Sequence, residues 1–319
     1  MSTELLSDVL GRVRLSGTVL FRVAIRGPWC IQAGADPQNI SSILPPGTRH
    51  VIAFHLALKG RCLVRHPPGP WQALEPHQVV VLPRGGIHYL GEHRESSPMP
   101  FHTMLGEQGL LDLYNVEYEL DQGPDTQILC GFLGCDRSAF APLFDALPDT
   151  MIVDLPDSLQ PLIDYAVNVS VNPAPDSLSL RTRLAELLFM ESLRCHVQQL
   201  SGETGGWLAG LQHPLVRKAL EIMHAAPARN WDVETLAARC ASSRSQLARE
   251  FKDVIGQAPM HYLTQLRMQQ AARRLADSHV SIDSIAEEVG YASSAAFQRA
   301  FKRCHGMPPG QWRRENTLS

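Results

Sequence analysis

Two copies of one short pattern lie close together near the C-terminus of this 319-residue chain. In each copy an apolar residue and an alanine are followed by a serine, which opens a segment whose apolar residues recur at the i and i+4 spacing of a helix. The copies are offset by 49 residues from Leu236 to Ile285 and by 50 residues from Ser243 to Ser293, so the second turn is one residue longer. The repeat predicts two helix-turn-helix units in tandem, a motif that places one helix of each unit in the major groove of DNA. The aligned positions are Leu236, Ala237, Ser243, Leu247, Phe251, Gly256, Pro259 and Tyr262 in the first copy, and Ile285, Ala286, Ser293, Phe297, Phe301, Gly306, Pro309 and Trp312 in the second.

The first unit is predicted over residues 232–253, with a capping side chain at the start of each helix. Asp232 caps the first helix, and Ser243 caps the second helix, which starts at Arg244. Leu247 and Phe251 fall on one face of that second helix, so we expect both in the core. The outward face then carries Ser245, Ala248, Arg249 and Lys252.

The second unit, predicted over residues 281–304, repeats this arrangement. Ser281 caps its first helix, Gly290 makes the turn, and Ser293 caps the second helix. Phe297 and Phe301 are expected to point inward. The outward face then carries Ala295, Gln298, Arg299 and Lys302.

Both outward faces contain an arginine and, three residues later, a lysine. A guanidinium group can bond two acceptors of one guanine in the major groove, whereas lysine more often meets phosphate. The alternative is that these residues are ordinary solvated positions on a helix surface. Because both copies repeat the arrangement, we predict that Arg249 and Arg299 contact bases or phosphates.

The segment between the units, from Met260 to Ala276, is uninterrupted by proline or glycine and alternates apolar with basic residues. A helix of this length spans about 25 Å at 1.5 Å per residue. It can hold two recognition helices about one DNA turn apart, near the roughly 34 Å between successive entries into the major groove.

The charge of the chain is distributed unevenly. Residues 213–319 carry 15 Lys+Arg against 10 Asp+Glu, or +5, and residues 1–212 carry 14 against 22, or −8, which together give the net charge of −3. A basic C-terminal part joined to an acidic N-terminal part is typical of a nucleic-acid binder attached to another domain. The excess of +5 is modest, and the repeat is the stronger evidence.

The seven cysteines and the absence of targeting signals predict where the protein works. An odd number of cysteines spread over a chain of this size argues against a disulfide framework and favours a reducing compartment. The N-terminus lacks the basic and apolar regions of a signal peptide, and no apolar run approaches the roughly 18 residues of a membrane span. We therefore expect a soluble cytoplasmic protein without membrane contact, associated with the nucleoid when it is bound to DNA.

The N-terminal half is predicted to be a β domain. Residues 18–155 contain short β-rich runs separated by proline and glycine clusters, and this pattern favours a small barrel or a double-sheet jelly roll. The clearest runs are VIAFHLAL (51–58), CLVRH (62–66) and QVVVLP (78–83).

Beyond residue 157 the apolar period becomes helical. Leu180, Leu184, Leu187 and Leu188 mark one face of a long amphipathic helix at 178–200. The sequence SGETGG that follows reads as a flexible linker. We therefore expect an α+β protein of two domains, with a β-barrel and its C-terminal helices followed by an all-α tandem helix-turn-helix domain. The predicted boundaries are 1–156 for the barrel, 157–200 for the helical segment, 201–212 for the linker and 213–316 for the DNA-binding domain.

The C-terminal hundred residues resemble the AraC/XylS family of bacterial transcription regulators. The resemblance implies that the helices 244–253 and 294–304 contact double-stranded DNA, with Arg249 and Arg299 at the main base-reading positions. Arg244 and Ala296, at the starts of these helices, join the candidate contact residues. The small Ala295 and Ala296 depart from the larger polar residues of the family, so we expect the second unit to read less sequence information. The segments that carry the resemblance are WDVETLA (231–237), SRSQLAREF (243–251), GQAPMHYL (256–263), IAEEVGY (285–291), FQRAFK (297–302) and GMPPGQWR (306–313).

The segment from His77 to His88 fits the second cupin motif, except that His77 replaces its leading glycine. Pro83 and Gly85 would form a hairpin corner, with His88 entering the barrel on the next strand. A cupin metalloenzyme also needs a first motif with further ligands, because a metal requires three or four convergent groups. The chain offers only His50 and His55, at the wrong spacing and without a nearby glutamate. We therefore predict no metal, no cofactor and no catalytic residue, and we expect His88 to be a hydrogen-bonded wall residue.

The N-terminal domain as a whole resembles the cupin-type sensing domain that is fused to many AraC-family regulators, on the segments GPWC (27–30), KGRCLVR (59–65), residues 77–88, ILCGFLGCD (128–136) and PLFDALPD (142–149). The resemblance implies that the barrel binds a small-molecule effector and that the helix at 178–200 pairs two subunits into a homodimer. Packing of this helix onto the barrel is the alternative. RNA polymerase is a further candidate partner. The candidate effector-pocket residues are Trp29, Cys30, His55, Cys62, Arg84 and His88.

Cysteine chemistry offers another hypothesis. Cys130 and Cys135 form a C-x4-C pair, and Cys30 and Cys62 lie in segments that can line the barrel. An activated thiolate needs a nearby cation or helix N-terminus, whereas a buried cysteine usually acts as a small apolar side chain. We favour the structural role.

Three functions therefore compete. The first is a sequence-specific DNA-binding regulator whose barrel senses an effector and changes DNA affinity or dimer geometry. The alternatives are a cupin metalloenzyme with an accessory DNA-binding domain, and an architectural DNA binder without an effector. The repeat and both resemblances favour the regulator.

Overall fold

The computed structural model describes two compact units of this chain. The N-terminal unit comprises the described residues within 15–135 and 147–199, and the C-terminal unit comprises residue 5, residues 141–146 and the described residues from 206 onward. The described residues are 5, 15–35, 48, 50–92, 97–101, 103, 115–119, 125–135, 141–172, 177–199, 206–277 and 280–316.

The N-terminal unit is built from two β-sheets. The strands are β1 (Leu15–Arg26), β2 (Cys30–Ala35), β3 (His50–Lys59), β4 (Cys62–Arg65), β5 (Gln72–Leu74), β6 (Gln78–Leu82), β7 (Gly86–Gly91), β8 (Met99–Pro100), β9 (Asn115–Glu119), β10 (Asp125–Cys135) and β11 (Met151–Asp154). One sheet has the strand order β11-β6-β3-β10-β1-β9 and the other β5-β4-β7-β2-β8. Neighbouring strands are antiparallel except for the parallel pairs β1–β9 and β2–β8.

The strand predictions are confirmed at 51–58, 62–66 and 78–83, which lie in β3, β4 and β6 to within a residue or so at each end. The predicted hairpin corner is also present. Gly85 and Gly86 have φ angles of 60° and 89°, a left-handed conformation that glycine adopts without strain, and His88 follows on β7. The corner thereby delivers His88 into the interior, where it is fully buried.

Among its described residues, the N-terminal unit also has two α-helices, α2 (Gln160–Val171) and α3 (Ser177–Gln199). Helix α3 packs against β1. The apolar face predicted for this helix divides in two, because Leu184 and Leu188 are buried while Leu180 and Leu187 remain more than a third exposed. The helix therefore packs on the sheet and still presents leucines outward.

The C-terminal unit is helical. Its helices are α1 (Ala141–Ala146), α4 (Trp207–Gln212), α5 (Pro214–Ala225), α6 (Val233–Arg239), α7 (Arg244–Ile255), α8 (Pro259–Asp277), α9 (Ile282–Glu288), α10 (Ser294–His305) and α11 (Pro309–Asn316). The structure differs from the predicted linker at 201–212, since residues 207–212 form α4, where Trp207 and Leu211 are buried in this unit. The apolar content of WLAGL explains this helix. Residues 201–205 lie outside the described residues.

The four helix caps predicted for the two helix-turn-helix units are confirmed. Asp232 and Ser281 accept hydrogen bonds from the backbone N–H of Thr235 and Ser284. Ser243 and Ser293 do the same for α7 and α10, with Gln246 N–H at 3.2 Å and Ala296 N–H at 3.4 Å. Each cap satisfies a backbone donor that a helix start leaves without a partner, which fixes where each of the four helices begins.

The turns of the two helix-turn-helix units have the same backbone conformation, but a different residue type adopts it in each. Gly290 has a φ angle of 83°, and Ala241, at the equivalent position of the first unit, has a φ angle of 56°. In each helix-turn-helix unit, a residue in the left-handed conformation therefore separates the two helices. A β-carbon on Gly290 would lie 2.2 Å from the carbonyl oxygen of Ala228, so this position also needs glycine for close packing.

Within the described residues, no helix is long and apolar enough to cross a membrane.

Candidate nucleic-acid interface and barrel cavity

The second helices of the two units, α7 and α10, each bury one face and expose the other. Leu247 and Phe251 are fully buried on α7, as are Phe297 and Phe301 on α10. The inward predictions are therefore confirmed. Of the ten candidate DNA-contact residues, eight are exposed and two half-buried; the exposed ones are Arg244, Ser245, Arg249, Lys252, Ala295, Gln298, Arg299 and Lys302, and the half-buried ones are Ala248 and Ala296.

On α7 the acidic side chain of Glu250 lies beside Arg249, the candidate for contact with a DNA base. Glu250 accepts a hydrogen bond from Gln246 Nε2 at 3.0 Å and lies 3.7 Å from Arg249 Nη2. The same carboxylate lies 3.7 Å from His213 Nε2, at the start of α5. The Arg249 side chain remains 69% exposed, so this solvated contact contributes little to the stability of the fold.

Helix α10 has a different charge pattern. It carries Arg299, Lys302 and Arg303 and no acidic residue, whereas α7 carries three basic residues with Glu250 and Asp253. Ala300 occupies the position equivalent to Glu250 and is buried in the core of the second unit. Helix α10 of the second helix-turn-helix unit is therefore more positive than helix α7 of the first.

Helix α8 connects the two helix-turn-helix units. Two of its arginines bind other residues of the C-terminal unit and so stabilise its fold. Arg267 donates hydrogen bonds to the carbonyl oxygens of Pro227 and Arg229, both at 2.7 Å, and its guanidinium lies over the ring of Tyr291. Arg274 forms a two-pronged ion pair with Glu288, with distances of 2.8 and 3.0 Å. The sequence showed these arginines only as basic positions on the connecting helix. Their carbonyl and carboxylate partners lie 14 to 40 residues away in sequence, which no local pattern reveals.

A small cavity of about 20 Å³ lies between the two sheets of the N-terminal unit. Its walls come from alternate residues of β1, β2 and β10, as expected for strands whose side chains point to opposite faces in turn. The volume corresponds to about one water molecule. The lining residues are Phe21, Val23, Ile25, Trp29, Ile31, Ala33, His55, Leu90, Phe101, Ile128, Cys130 and Phe132.

A directed hydrogen-bond chain runs behind one wall of this cavity. His88 Nδ1 lies 3.0 Å from the carbonyl oxygen of Gly86, which can only accept, so His88 carries its proton on Nδ1. Its Nε2 must then accept the proton of His55 Nε2, 2.7 Å away. The remaining nitrogen of His55, Nδ1, accepts from the thiol of Cys130 at 3.1 Å. One arrangement of protons thus satisfies the three side chains with both rings neutral.

Burial keeps these imidazoles neutral. Desolvation lowers the pKa of His88 to about 4, against the opposing effect of its bond to Gly86. Desolvation, and then the neighbouring His88, lower the pKa of His55 well below its usual value. The hydrogen-bonded side chains of His88, His55 and Cys130 therefore present no charge to the cavity at neutral pH.

The six candidate pocket residues are distributed over three environments. Trp29 and His55 line the cavity. His88 lies behind His55, and Cys30 and Cys62 are buried in the unit without lining the cavity. Arg84 is on the surface, where it pairs with Asp149. The period-two spacing of Phe21, Val23 and Ile25 and of Ile128, Cys130 and Phe132 was the signal that could have identified the other walls.

The residues that a cupin metal site would need are occupied otherwise. His50 Nε2 lies 2.6 Å from the carbonyl oxygen of Pro83, and His55 bonds His88 and Cys130 through its two nitrogens. Within the part of the chain that the structure describes, no group of three histidine, cysteine or acidic side chains could hold a metal ion.

Burial favours the thiol form of Cys30, Cys62 and Cys130 in the N-terminal unit. Burial raises the pKa of Cys62 to about 12, with a smaller effect from Glu75. Burial also raises the pKa of Cys130 and Cys30. Cys130 and Cys135 both lie on β10 and are not disulfide-bonded. These environments favour the structural role over an activated thiolate.

Comparison with known proteins gives two family matches and a set of related regulators. Residues 4–198 match a cupin family model, and residues 236–315 match a helix-turn-helix domain model. A putative AraC-like transcription regulator of Streptomyces lividans is 37% identical over 62% of this chain and 66% of its own length. An HTH-type transcriptional regulator of Haemophilus influenzae, described as uncharacterized, is 30% identical over 83% of this chain and 87% of its length. The HTH-type transcriptional regulator AlkR of Acinetobacter baylyi is 26% identical over 98% of this chain and its full length. These relatives are transcriptional regulators rather than enzymes.

Proposed function

The chain belongs to the AraC family of transcriptional regulators, with an N-terminal cupin domain and a C-terminal helix-turn-helix domain, and from this we propose that its barrel binds a small effector that changes how two recognition helices hold a specific DNA site. The observation that carries the proposal is the repeated helix pair, in which α7 and α10 bury equivalent faces and expose equivalent arginines.

We assign base reading first to α7. Its outward face combines Ser245 and Arg249 with the exposed amide of Gln246, groups that can donate to and accept from base edges. On α10, Ala295 and Ala296 offer no hydrogen-bonding side chain at the start of the helix, so Arg299 and Gln298 are its candidates for base contact. The more positive α10 is suited to phosphate contact, with Lys302 as its counterpart to Lys252.

Substitution of each arginine by alanine tests this assignment. Arg249→Ala or Arg299→Ala is expected to weaken binding to the specific site by about 1–3 kcal/mol and to relax the preference at one base pair. Binding titrations with the specific duplex and with a random duplex of equal length give the measurement. Arg267→Ala serves as a contrast, because its bonds to Pro227 and Arg229 predict reduced stability rather than relaxed base preference. An equal loss on specific and random DNA would exclude base reading for the arginine concerned.

Effector binding in the barrel is proposed from the cavity between the two sheets. Its predominantly apolar walls are typical of small-molecule sites, and the cavity must enlarge from about 20 Å³ to hold a molecule larger than water. A ligand that prefers one of two conformations of the protein shifts DNA affinity by its difference in affinity for the two. An architectural DNA binder, by contrast, would have the same DNA affinity with and without any ligand of the barrel.

Dimerisation through α3 is proposed from its exposed leucines. Leu180 and Leu187 are seven residues apart, which places them on the same side of the helix, and Leu178 is 60% exposed. Tyr165 of α2 is also about half exposed. Replacing Leu187 by glutamate should raise the dimer dissociation constant without unfolding the unit, as sedimentation and circular dichroism would measure. Glu186→Gln, on the same helix, is the matched control. An unchanged association constant for the Leu187 variant would exclude this surface.

A further inference from the structure

Helix α1 belongs to the C-terminal unit, although in the chain it lies between two strands of the barrel. Strand β10 ends at Cys135, α1 spans Ala141–Ala146, and β11 begins at Met151. The chain therefore passes from the barrel into the C-terminal unit at α1 and is part of the N-terminal unit again from Leu147. Resting on the proposed regulatory function, we propose that α1 is a coupling strap, which transmits a change in the barrel to the recognition helix α7 and a change at α7 back to the barrel.

The strap is packed rather than loose. Its side chains Leu143 and Phe144 are each 1% exposed, and the helix packs against α4. The last residue of the strap, Ala146, adjoins the start of α4, because a β-carbon on Gly206 would lie 3.6 Å from the β-carbon of Ala146. This distance is ordinary van der Waals contact, so a shift of the strap acts directly on α4.

Helix α4 is in turn bound to the last turn of α7. The backbone N–H of Gly206 donates to the carbonyl oxygen of Val254 at 2.7 Å, and α4 packs along α7. The indole Nε1 of Trp207 also donates to the hydroxyl of Tyr262 on α8 at 2.9 Å. Because α7 is one continuous helix, a shift at Val254 also moves Arg249 on its outward face. Helix α4 therefore cannot move alone without breaking these contacts.

At the barrel side, the strand before the strap forms part of the cavity wall. Ile128, Cys130 and Phe132 of β10 line the cavity, which must enlarge to hold a molecule larger than water. Strand β10 pairs with β1 on one side and with β3 on the other, so enlargement at this wall acts on a stiff, hydrogen-bonded strand. The strap begins six residues after this strand ends.

The chain that follows the strap is held on the barrel. Arg84 pairs with Asp149, and its Nη2 donates to the carbonyl oxygen of Leu147 at 3.4 Å. Leu147 is buried, and β11 pairs with β6 from Met151 onward. A cavity-wall strand thus precedes the strap, a fixed segment of the barrel follows it, and α4 holds the strap itself.

Amide hydrogen exchange in the full-length protein tests this coupling without a known effector, because coupling between two sites is reciprocal. Exchange is measured peptide by peptide with and without saturating sheared genomic DNA. We expect DNA to slow exchange roughly threefold or more in α7, and also in α4, in the strap and in the segment 147–154 that follows it. Protection of α7 and α10 with the strap and 147–154 unchanged overturns the proposal.

Replacing a leucine of the strap tests whether α1 carries the effect. Leu143→Ala should speed exchange in α4 and in the last turn of α7 roughly tenfold or more, because a buried leucine is lost from the strap. It should also abolish the DNA-induced protection of 147–154 while that of α10 persists.

The matched control removes a leucine from the barrel. Leu74 lies on β5 and is fully buried. Leu74→Ala should speed exchange in the barrel strands and leave α4 unchanged. If Leu143→Ala leaves α4 unchanged, or if the two variants affect α4 equally, the proposal is refuted. The response of the wild-type protein to DNA decides the question even if Leu143→Ala fails to fold.

Failure of the proposed function gives a different result. If DNA protects α7 and α10 but not the strap, DNA binding stands and coupling through the strap is refuted. If DNA protects no part of the protein, DNA binding and the coupling that rests on it are both refuted, and faster exchange of α4 in Leu143→Ala would then show only that the strap stabilises α4.

Discussion

The two turns of the tandem repeat predict opposite effects for two exchanges between glycine and alanine. Ala241 and Gly290 occupy the same position of the two units, and both are left-handed, with φ angles of 56° and 83°. We expect Ala241→Gly to stabilise the C-terminal unit and Gly290→Ala to destabilise it. Both replacements leave the recognition helices unchanged in sequence.

The magnitudes follow from conformation and contact. A left-handed alanine is unfavourable by roughly 1–2 kcal/mol, and the greater freedom of glycine in the unfolded chain offsets roughly 0.5–1 kcal/mol of this. Ala241→Gly should therefore raise the free energy of unfolding by about 0.5–1 kcal/mol. At Gly290 the strain recurs, and the new β-carbon would also lie 2.2 Å from the carbonyl oxygen of Ala228, so the expected loss is about 2–4 kcal/mol.

Urea unfolding followed by far-ultraviolet circular dichroism measures these effects, since the C-terminal unit is helical. Gly256→Ala is the control for strain alone, because Gly256 has a φ angle of 84° but a β-carbon at this position would meet nothing within 4 Å. Its loss should fall below that of Gly290→Ala. Equal losses at Gly256 and Gly290 would exclude the contact with Ala228 as a cause, and destabilisation by Ala241→Gly would exclude strain at Ala241.

Two further predictions concern DNA and pH. Lys302→Ala and Lys252→Ala should each weaken binding to all sequences and reduce the slope of log affinity against log salt by about 0.9, as titrations at several salt concentrations would show; an unchanged slope would remove that lysine from the phosphate contacts. Acid should destabilise the N-terminal unit, because the pKa of His88 is about 4 in the folded protein, whereas an exposed histidine in the unfolded chain has a pKa of about 6.5. With the folded pKa the lower one, stability is present above about pH 6.5 and falls by about 3 kcal/mol towards pH 4. His88→Gln should flatten this dependence in unfolding measurements, and an equally steep fall in the variant would exclude His88 as its origin.

The C-terminal unit was predictable from the sequence because its information is local. Three kinds of feature depend only on residues close in sequence: helix caps, buried i and i+4 pairs, and the residue of a turn. Each occurs in both copies of the repeat. Asp232, Ser243, Ser281 and Ser293 accordingly occupy the predicted cap positions.

The barrel cavity was less accessible to sequence reasoning because its walls come from distant strands. Phe21 and Cys130 face each other across 109 residues through the pairing of β1 with β10, and only the register reveals this. Arg84 is a candidate pocket residue from the sequence, yet its side chain reaches the surface and pairs with Asp149. The hydrogen-bond chain through Cys130 likewise depends on strand pairing, since Cys130 is the register partner of His55.

Sequence-specific DNA binding is tested by selecting genomic DNA fragments with the purified full-length protein. Fragments that remain bound are sequenced, in parallel with those bound by the Arg249→Ala, Arg299→Ala double variant. We expect an enriched motif with two half-sites about ten base pairs apart, the spacing at which two recognition helices of one chain would enter successive turns of the major groove. The double variant should lose this motif while still binding DNA. Binding of the wild-type protein without any shared motif, or an identical motif with the double variant, would exclude sequence reading by these two helices.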